Sequence, residues 1–149
     1  MCGGSVTDRA AAVAAWESLF RAQVAIMRSL AADFPSHEIS FNEYDVLFNL
    51  SRAPGRRLRL RDLNRHVLLT QPSVSRLVDR LAVRGYVRKD ADPTDGRGAL
   101  IELTDAGYEL FRGVALQHMG TITDRIGDTL DPDELRQLTA LCDRLRGED

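Results

Sequence analysis

Hydroxyl and guanidinium side chains recur between residues 73 and 80 at a spacing that suits hydrogen bonding to a polar partner. If this segment is helical, a rotation of about 100° per residue places Arg76 and Asp79 opposite an apolar face. Ser73, Ser75 and Arg80 flank them. The apolar face itself consists of Val74, Leu77, Val78 and Leu81. One side of the helix would pack in a core while the other offers donors to a partner, as is typical of a recognition helix.

The residues at either end of this segment favour a helix start and a helix stop. Thr70 has the side chain of an N-cap, and Pro72 is tolerated in a first turn, where the backbone N–H groups have no intrahelical partner. Gly85 suits the left-handed position that follows many helices. We therefore predict a helix that begins near residue 71 and ends just before Gly85.

A β-hairpin is predicted directly after this helix. Residues 86–89 and 99–103 are strand-like, and the Pro, Asp and Gly residues between positions 92 and 98 favour a turn. Arg97 lies at the tip, with Arg88 and Lys89 behind it on the first strand. Before this helix, the residues from 58 onward are predicted to form a first helix and a tight turn. Such a helix pair followed by a hairpin with a basic tip is a winged helix-turn-helix. Its second helix enters the major groove of DNA, and its wing reaches an adjacent groove or the phosphates.

Taken in order, these segments resemble the MarR (multiple antibiotic resistance regulator) family of transcription factors. The resemblance lies in residues 68–81, LLTQPSVSRLVDRL, and in residues 84–87, 92–97 and 103–107, which follow at the family's spacing. In the wing the family often has two adjacent arginines after the aspartate, and Gly96 occupies the first of these positions here. The resemblance implies a dimeric DNA-binding regulator, most often a repressor. It also implies a wing contact made by Arg97, with Asp95 fixing its orientation.

The predicted DNA contacts follow from the helix face and the wing. We expect Arg76 to contact a base, because a bidentate arginine–guanine pair is the commonest specific contact in the major groove. Asp79 could accept a hydrogen bond from a cytosine amino group, but we expect it instead to pair with Arg76 or Arg80 and hold it in position. The full predicted set is Gln71, Ser73, Ser75, Arg76, Arg80, Arg88, Lys89, Asp95 and Arg97.

Charge is distributed unevenly along the chain. The net charge of −2 would by itself argue against a nucleic-acid partner. Residues 52–97, however, hold 12 of the 20 basic and 5 of the 22 acidic residues, a local net of +7, and the rest holds 8 basic and 17 acidic residues, a net of −9. A basic block between acidic flanks is typical of a DNA-binding lobe on a dimerising frame. Six arginines precede or enter the first helix of the pair, where phosphate contacts usually lie: Arg52, Arg56, Arg57, Arg59, Arg61 and Arg65.

Long amphipathic helices are predicted on both sides of this lobe. An apolar stripe at helical spacing runs from about residue 7 to residue 33, and Ser40 with Glu43 forms a capping box that starts a second helix. After the wing, a long helix is predicted from residue 105 to about residue 129, and Asp131 with Glu134 starts the last one. Together these helices carry more apolar surface than the lobe can cover, so we predict a second subunit.

The sequence therefore predicts a mainly α fold with a small β-hairpin wing, a winged helix-turn-helix with long N- and C-terminal dimerisation helices. The 149 residues would form a single unit, with residues 1–34 and 105–149 as dimerisation helices and residues 40–104 as the DNA-binding lobe. Two-fold symmetry would place two recognition helices about 34 Å apart over a palindromic site.

Aromatic side chains on the first two helices suggest a small-molecule site. The resemblance implies that a small phenolic or aromatic effector binds between the dimer helices and the DNA lobe, where it would act by shifting the spacing of the recognition helices. Aromatic residues at helical spacing are more often plain core, so both interpretations stay open. The residues in question are Trp16, Phe20, His37, Phe41, Tyr44 and Phe48.

Other classes of function have less support in the sequence. No Ser, His or Asp residue sits in a nucleophile elbow, a phosphate loop or a metal-binding helix, so we predict no enzymatic activity, no cofactor and no metal. A cytoplasmic protein with no membrane segment is expected, since neither an apolar run of 18 residues nor a secretory signal is present. Two alternatives remain: a winged helix used as a protein-interaction module, and an oxidant-sensing regulator that uses Cys2. Cys142 is expected to be a buried and inert apolar residue.

Overall fold

A computed structural model describes residues 6–67 and 71–147 of the chain. The described residues contain six α-helices: α1 (Val6–Ala32), α2 (Phe41–Arg52), α3 (Leu60–His66), α4 (Gln71–Val83), α5 (Asp105–Ile122) and α6 (Pro132–Arg146). Three strands, β1 (Arg57–Arg59), β2 (Val87–Asp92) and β3 (Asp95–Leu103), form one antiparallel sheet in the order β1-β3-β2. This arrangement confirms the predicted mainly α fold with a β-hairpin wing.

Both predicted capping boxes are present. The Ser40 hydroxyl accepts a hydrogen bond from the backbone N–H of Glu43, and the Glu43 carboxylate accepts one from the N–H of Ser40. Asp131 and Glu134 make the same reciprocal pair at the start of α6. Each box satisfies two N–H groups that would otherwise lack a partner at the helix N-terminus, so α2 and α6 begin where the sequence predicted.

Helix α4 ends as predicted, through the left-handed backbone of Gly85, whose φ is +83°. The N–H of Gly85 bonds to the carbonyl of Ala82, and the N–H of Tyr86 bonds to the carbonyl of Leu81. This pair of bonds is a Schellman motif, which turns the chain sharply into β2. Thr70, the predicted N-cap of the same helix, lies outside the described residues.

The hairpin is longer than predicted, and its turn is correspondingly shorter. Strands β2 and β3 together run from residue 87 to residue 103 with only Pro93 and Thr94 between them, and the register shifts between Ala91 and Asp92. The sequence did not predict β1, whose three residues pair with residues 100–102 of β3. So short a strand has no periodicity of its own and exists only through that pairing.

Helix α5 ends earlier than predicted. It stops at Ile122 and passes into a turn of π-helix over Thr123–Gly127, whereas one continuous helix was expected to about residue 129. The apolar spacing continues through this turn, so the sequence pattern did not reveal the change of hydrogen bonding.

The described residues fall into two compact units, one from the segments 6–34 and 120–147 and the other from the described part of residues 35–119. In the second unit, α2, α3, α4 and the sheet surround a core that includes Val46, Leu47, Leu63 and Ile101, none of which has measurable solvent exposure. No helix within residues 6–67 and 71–147 has both the length and the apolar character needed to cross a membrane.

Candidate nucleic-acid interface

Helix α4 has one fully buried face and one cationic face. Val74, Val78 and Leu81 have no exposed surface, whereas Arg76 and Arg80 are exposed and Ser73 and Ser75 are half-buried. Within the described chain, neither arginine forms an ion pair. Their guanidinium groups therefore lie on the exposed face of α4, opposite its buried face. Gln71 is the first helical residue, and its side chain is not among those described.

An ion pair joins α4 to the wing. Lys89 on β2 donates a hydrogen bond of 2.9 Å to the Asp79 carboxylate on the outer face of α4. The expectation that Asp79 would pair with Arg76 or Arg80 was wrong, because folding brings the wing close enough to supply a cation from another element. Lys89 and Asp79 therefore connect the two predicted DNA-contacting elements.

The predicted wing cations differ in how they are paired. Arg88 lies opposite Glu102 in the strand register, and their side chains form an ion pair of 3.4 Å. Glu102 also lies 4.0 Å from Arg57 of β1. Arg97 is exposed and makes no ion pair within the described residues. The Asp95 carboxylate accepts a 3.1 Å bond from the backbone N–H of Arg97, so it orders the backbone at this position and not the guanidinium group.

A buried carboxylate organises the wing turn. Asp92 accepts hydrogen bonds from the backbone N–H of Thr94 at 2.9 Å and from its hydroxyl at 2.8 Å. Arg59 of β1 lies 3.0 Å from the other Asp92 carboxylate oxygen and donates a 2.9 Å bond to the Thr94 hydroxyl. The two bonds from Thr94, aided by the charges of Arg59 and Arg61, hold the pKa of the Asp92 carboxyl below its usual range. None of these three residues was predicted as a DNA contact, although Arg59 was among the six arginines expected near phosphates.

A groove of about 590 Å³ separates α4 from the wing. Its cationic lining comes from Arg59, Arg61, Lys89 and Arg97, and Ser75 contributes a hydroxyl from α4. A second groove lies on the other side of α4, where Arg76 and Arg80 face Asn42 of α2. Asn42 was not predicted, since only the packing of α2 places it beside the helix, whereas Arg61 was among the six arginines expected near phosphates.

Three comparisons with known proteins agree with this geometry. A model of the MarR family matches residues 37–98. The HTH-type transcriptional regulator PecS of Dickeya dadantii is 31% identical over 130 residues, which cover 86% of this chain and 77% of PecS. This chain belongs to the MarR family. A crystal structure of Sco3205, a MarR family transcriptional regulator from Streptomyces coelicolor, in complex with DNA is 30% identical with a TM-score of 0.74, and the match covers 90% of this chain and 84% of that one.

A further similar structure was solved with a bound ligand. The PcaV transcriptional regulator from Streptomyces coelicolor, solved in complex with its natural ligand, is 26% identical to this chain with a TM-score of 0.64, and the match covers 99% of this chain and 98% of that one. All three of these relatives are described as transcriptional regulators.

The six residues predicted to line an effector pocket do not all lie together in the structure. Trp16 and Phe20 contact each other on α1, with ring centroids 5.8 Å apart, and belong to the first compact unit. In the second unit, the Tyr44 ring stacks on Phe48 at 6.4 Å and on Phe111 at 5.3 Å. His37 is exposed and borders a shallow groove beside α5.

A buried histidine joins this aromatic cluster. The His118 ring packs edge-on against Tyr44 at 5.0 Å and Phe41 at 5.7 Å, and only 5% of the residue is exposed. Burial lowers the pKa of His118, and burial, reinforced by the charge of Asp45, raises the pKa of Tyr44. Both groups are therefore held in their neutral forms, which suits an apolar site. Neither His118 nor Phe111 was predicted to belong to this site, because both lie on α5, far along the chain from α2.

Two further expectations concern cysteines and metals. Cys142 is half-buried where a fully buried residue was expected, because its face of α6 borders an open apolar groove. Cys2 lies outside the described residues. Among the residues that are described, no three His, Cys, Asp or Glu side chains lie where they could hold one metal ion.

Proposed function

We propose that this protein is a homodimeric, sequence-specific DNA-binding regulator that represses nearby genes. The observation that carries the proposal is a helix with one buried apolar face and with two exposed arginines, Arg76 and Arg80, that form no ion pair within the described residues, beside a basic wing. Such a helix is anchored and can be inserted into a major groove without losing packing. The contacts would come from the predicted set on α4 and the wing, with Asn42 and Arg61 as additional phosphate partners.

The dimer is supported by an apolar groove between α1 and α6. This groove, of about 530 Å³, is lined by Trp16, Leu19 and Leu141 among others, and Trp16 is 62% exposed. A contiguous apolar groove that is open to solvent marks an interaction site. We assign residues 1–34 and 105–149 to dimerisation and residues 40–104 to DNA binding, although the boundary between the two compact units falls inside α5, after residue 119.

A small aromatic effector is a secondary part of the proposal. The cluster of Phe41, Tyr44, Phe48 and Phe111 around a neutral His118 could accept the ring of a phenolic compound. An effector would release DNA only to the extent that it binds one spacing of the recognition helices better than the other.

The test is selection of duplexes from a random-sequence pool, followed by affinity measurements between about 50 and 200 mM salt. We expect a palindromic consensus, and affinity that falls steeply with salt because bound phosphates release counterions. Failure to enrich any sequence would contradict the proposal and favour the protein-interaction module. Repeating the measurement with salicylate-like acids and after mild oxidation tests the effector and the Cys2 alternative separately.

Two substitutions distinguish base reading from phosphate binding. Arg76→Ala should relax the consensus at one position in each half-site, since a bidentate arginine–guanine pair contributes about 1–3 kcal/mol of discrimination. Arg88→Ala should weaken binding to all sequences alike and reduce the salt slope by about one. Selection repeated with each variant checks this, and an unchanged consensus for Arg76→Ala would remove Arg76 from the proposed base contacts.

A further inference from the structure

We propose that Arg59 is a positioning residue that holds the wing turn in place for DNA, and that it is not itself a phosphate contact. The proposal rests on the function proposed above, because it concerns how the wing is presented to DNA. It reverses the expectation from sequence, which grouped Arg59 with the phosphate-binding arginines.

The geometry links the wing to the start of the helix-turn-helix. Arg59 is the last residue of β1 and directly precedes α3. Its Nε lies 3.0 Å from Asp92, and its Nη2 donates to Thr94 at 2.9 Å. Asp92 and Thr94 begin the turn that leads to Arg97, so one guanidinium group contacts both residues that set the direction of the tip.

The burial of this network favours a structural use of Arg59. The Asp92 side chain is only 5% exposed, and a carboxylate so placed requires a paired cation. Moving Arg59 to a phosphate would leave Asp92 buried with two hydrogen bonds from Thr94 and no direct ion pair. By contrast, Arg97 and Arg61 line the same groove, and neither forms an ion pair within the described residues. These two arginines can contact DNA without breaking an ion pair among the described residues.

The first experiment tests, in the absence of DNA, whether Arg59 orders the wing turn. Amide hydrogen exchange of Thr94 and Arg97 should accelerate at least about tenfold in Arg59→Ala, while the amides of Val78 and Leu81 in α4 keep the wild-type rate. Unchanged exchange in the wing would overturn the proposal. Equal acceleration in α4 would overturn it as well, since Arg59 would then stabilise the whole lobe. Thr94→Val removes a hydroxyl and no charge, and it should accelerate the same wing amides even if Arg59→Ala does not fold.

The second experiment is a double-mutant cycle on a duplex selected by the wild-type protein. Arg59→Ala and Arg97→Ala should each weaken binding about tenfold, and the double variant should be no more than about twofold weaker than Arg97→Ala alone. Arg59→Lys keeps the charge but loses the planar fork that bonds Asp92 and Thr94 together, so it should resemble Arg59→Ala.

Other results have distinct meanings. If the double variant binds about a hundredfold more weakly than the wild type, the two losses are independent. That result, or wild-type affinity in Arg59→Lys, would show that Arg59 acts as a direct phosphate contact and would overturn the proposal. If the wild-type protein selects no DNA, the proposed regulator function fails, while the hydrogen-exchange result still decides whether Arg59 orders the wing.

Discussion

Arginine side chains in the basic block differ in what their guanidinium groups contact. Arg59 forms an ion pair with Asp92. Arg84 lies near both Glu38 and Glu43, and its guanidinium group lies over the ring of Tyr86, 4.9 Å from the ring centroid. The local charge of +7 therefore overstates the number of cations that are free for DNA. Position in the fold, and not residue type, decides which arginines can bind phosphates.

Gly96 offers a gain-of-function test at the residue scale. A Cβ at this position would meet nothing within 4 Å, and Gly96 is not among the glycines with a left-handed φ. We expect Gly96→Arg to tighten binding to the selected duplex severalfold and to steepen the salt dependence by about 0.9 in log–log slope, as for one added phosphate contact.

Gly96→Ala is the matched control for this change, because it restricts the backbone equally and adds no charge. Binding should then stay within about twofold of the wild type. Equal tightening by both variants would mean that backbone rigidity, and not a new arginine contact, produced the gain.

The lowered pKa of His118 leads to a prediction of how stability depends on pH. Burial lowers its pKa in the folded state, so the unfolded chain binds the proton more readily. The free energy of unfolding should be at its full value above the ordinary histidine pKa of about 6.5 and should fall as the pH drops below it toward the lowered value. Urea titrations at pH 7.5, 6.5 and 5.5 should show this slope in the wild type and a flatter one in His118→Gln. His37→Gln, which changes an exposed imidazole, should retain the wild-type slope. If both variants retain that slope, the pH dependence comes from ionisable groups other than His118.

At the scale of elements, the start of α5 holds the wing against the end of α4. The Thr104 hydroxyl donates to the carbonyl of Gly85 at 2.7 Å and accepts from the N–H of Gly107 at 3.0 Å. The backbone of Gly107 lies against Tyr86, where an added Cβ would come within 2.0 Å of the Tyr86 carbonyl oxygen. The helix end, the sheet and the next helix therefore meet at one point that admits only glycine.

Gly107→Ala should lower the free energy of unfolding by about 1–3 kcal/mol or more, because the backbone at Tyr86 must move to admit the methyl group. Gly113→Ala, later in the same helix, meets nothing within 4 Å and should raise stability by about 0.5–1 kcal/mol. Denaturant titrations at one fixed protein concentration compare the two variants. Equal effects would contradict the close approach at Gly107.

At the scale of the whole molecule, α1 and α6 carry a large share of the exposed apolar side chains among the described residues, including Trp16, Phe20 and Leu145. Leu141 is 53% exposed and lines the groove between them. Leu141→Glu should raise the dissociation constant of the proposed dimer at least about a hundredfold, since burying an unpaired carboxylate costs several kcal/mol. Sedimentation equilibrium measures this directly, and DNA affinity should fall with it, because a monomer engages only one half-site.

Ala140→Glu introduces the same charge on the exposed, opposite side of α6, outside the residues that line the groove. It should leave the association unchanged. Loss of association in both variants, or in neither, would contradict the assignment of this groove as the dimer interface.

The sequence alone determined the features that depend on residues close together along the chain. The capping boxes at Ser40 and Asp131, the Schellman end at Gly85 and the buried stripe of α4 all arise within about one or two helical turns, so their residue types were sufficient. The wing turn was predicted for the same reason, although its strands extend further than expected.

Only the tertiary structure decided which distant residues meet. Strand β1 exists because residues 57–59 pair with residues 100–102, and Arg59 reaches a turn 35 positions away. Lys89 rather than a helical neighbour binds Asp79, and His118 joins aromatic rings of α2. Such contacts depend on how elements pack in space, which spacing along one helix or strand does not specify. The physical difference is one of range: local hydrogen bonds depend on neighbouring residues, whereas ion pairs and ring contacts between elements depend on the whole fold.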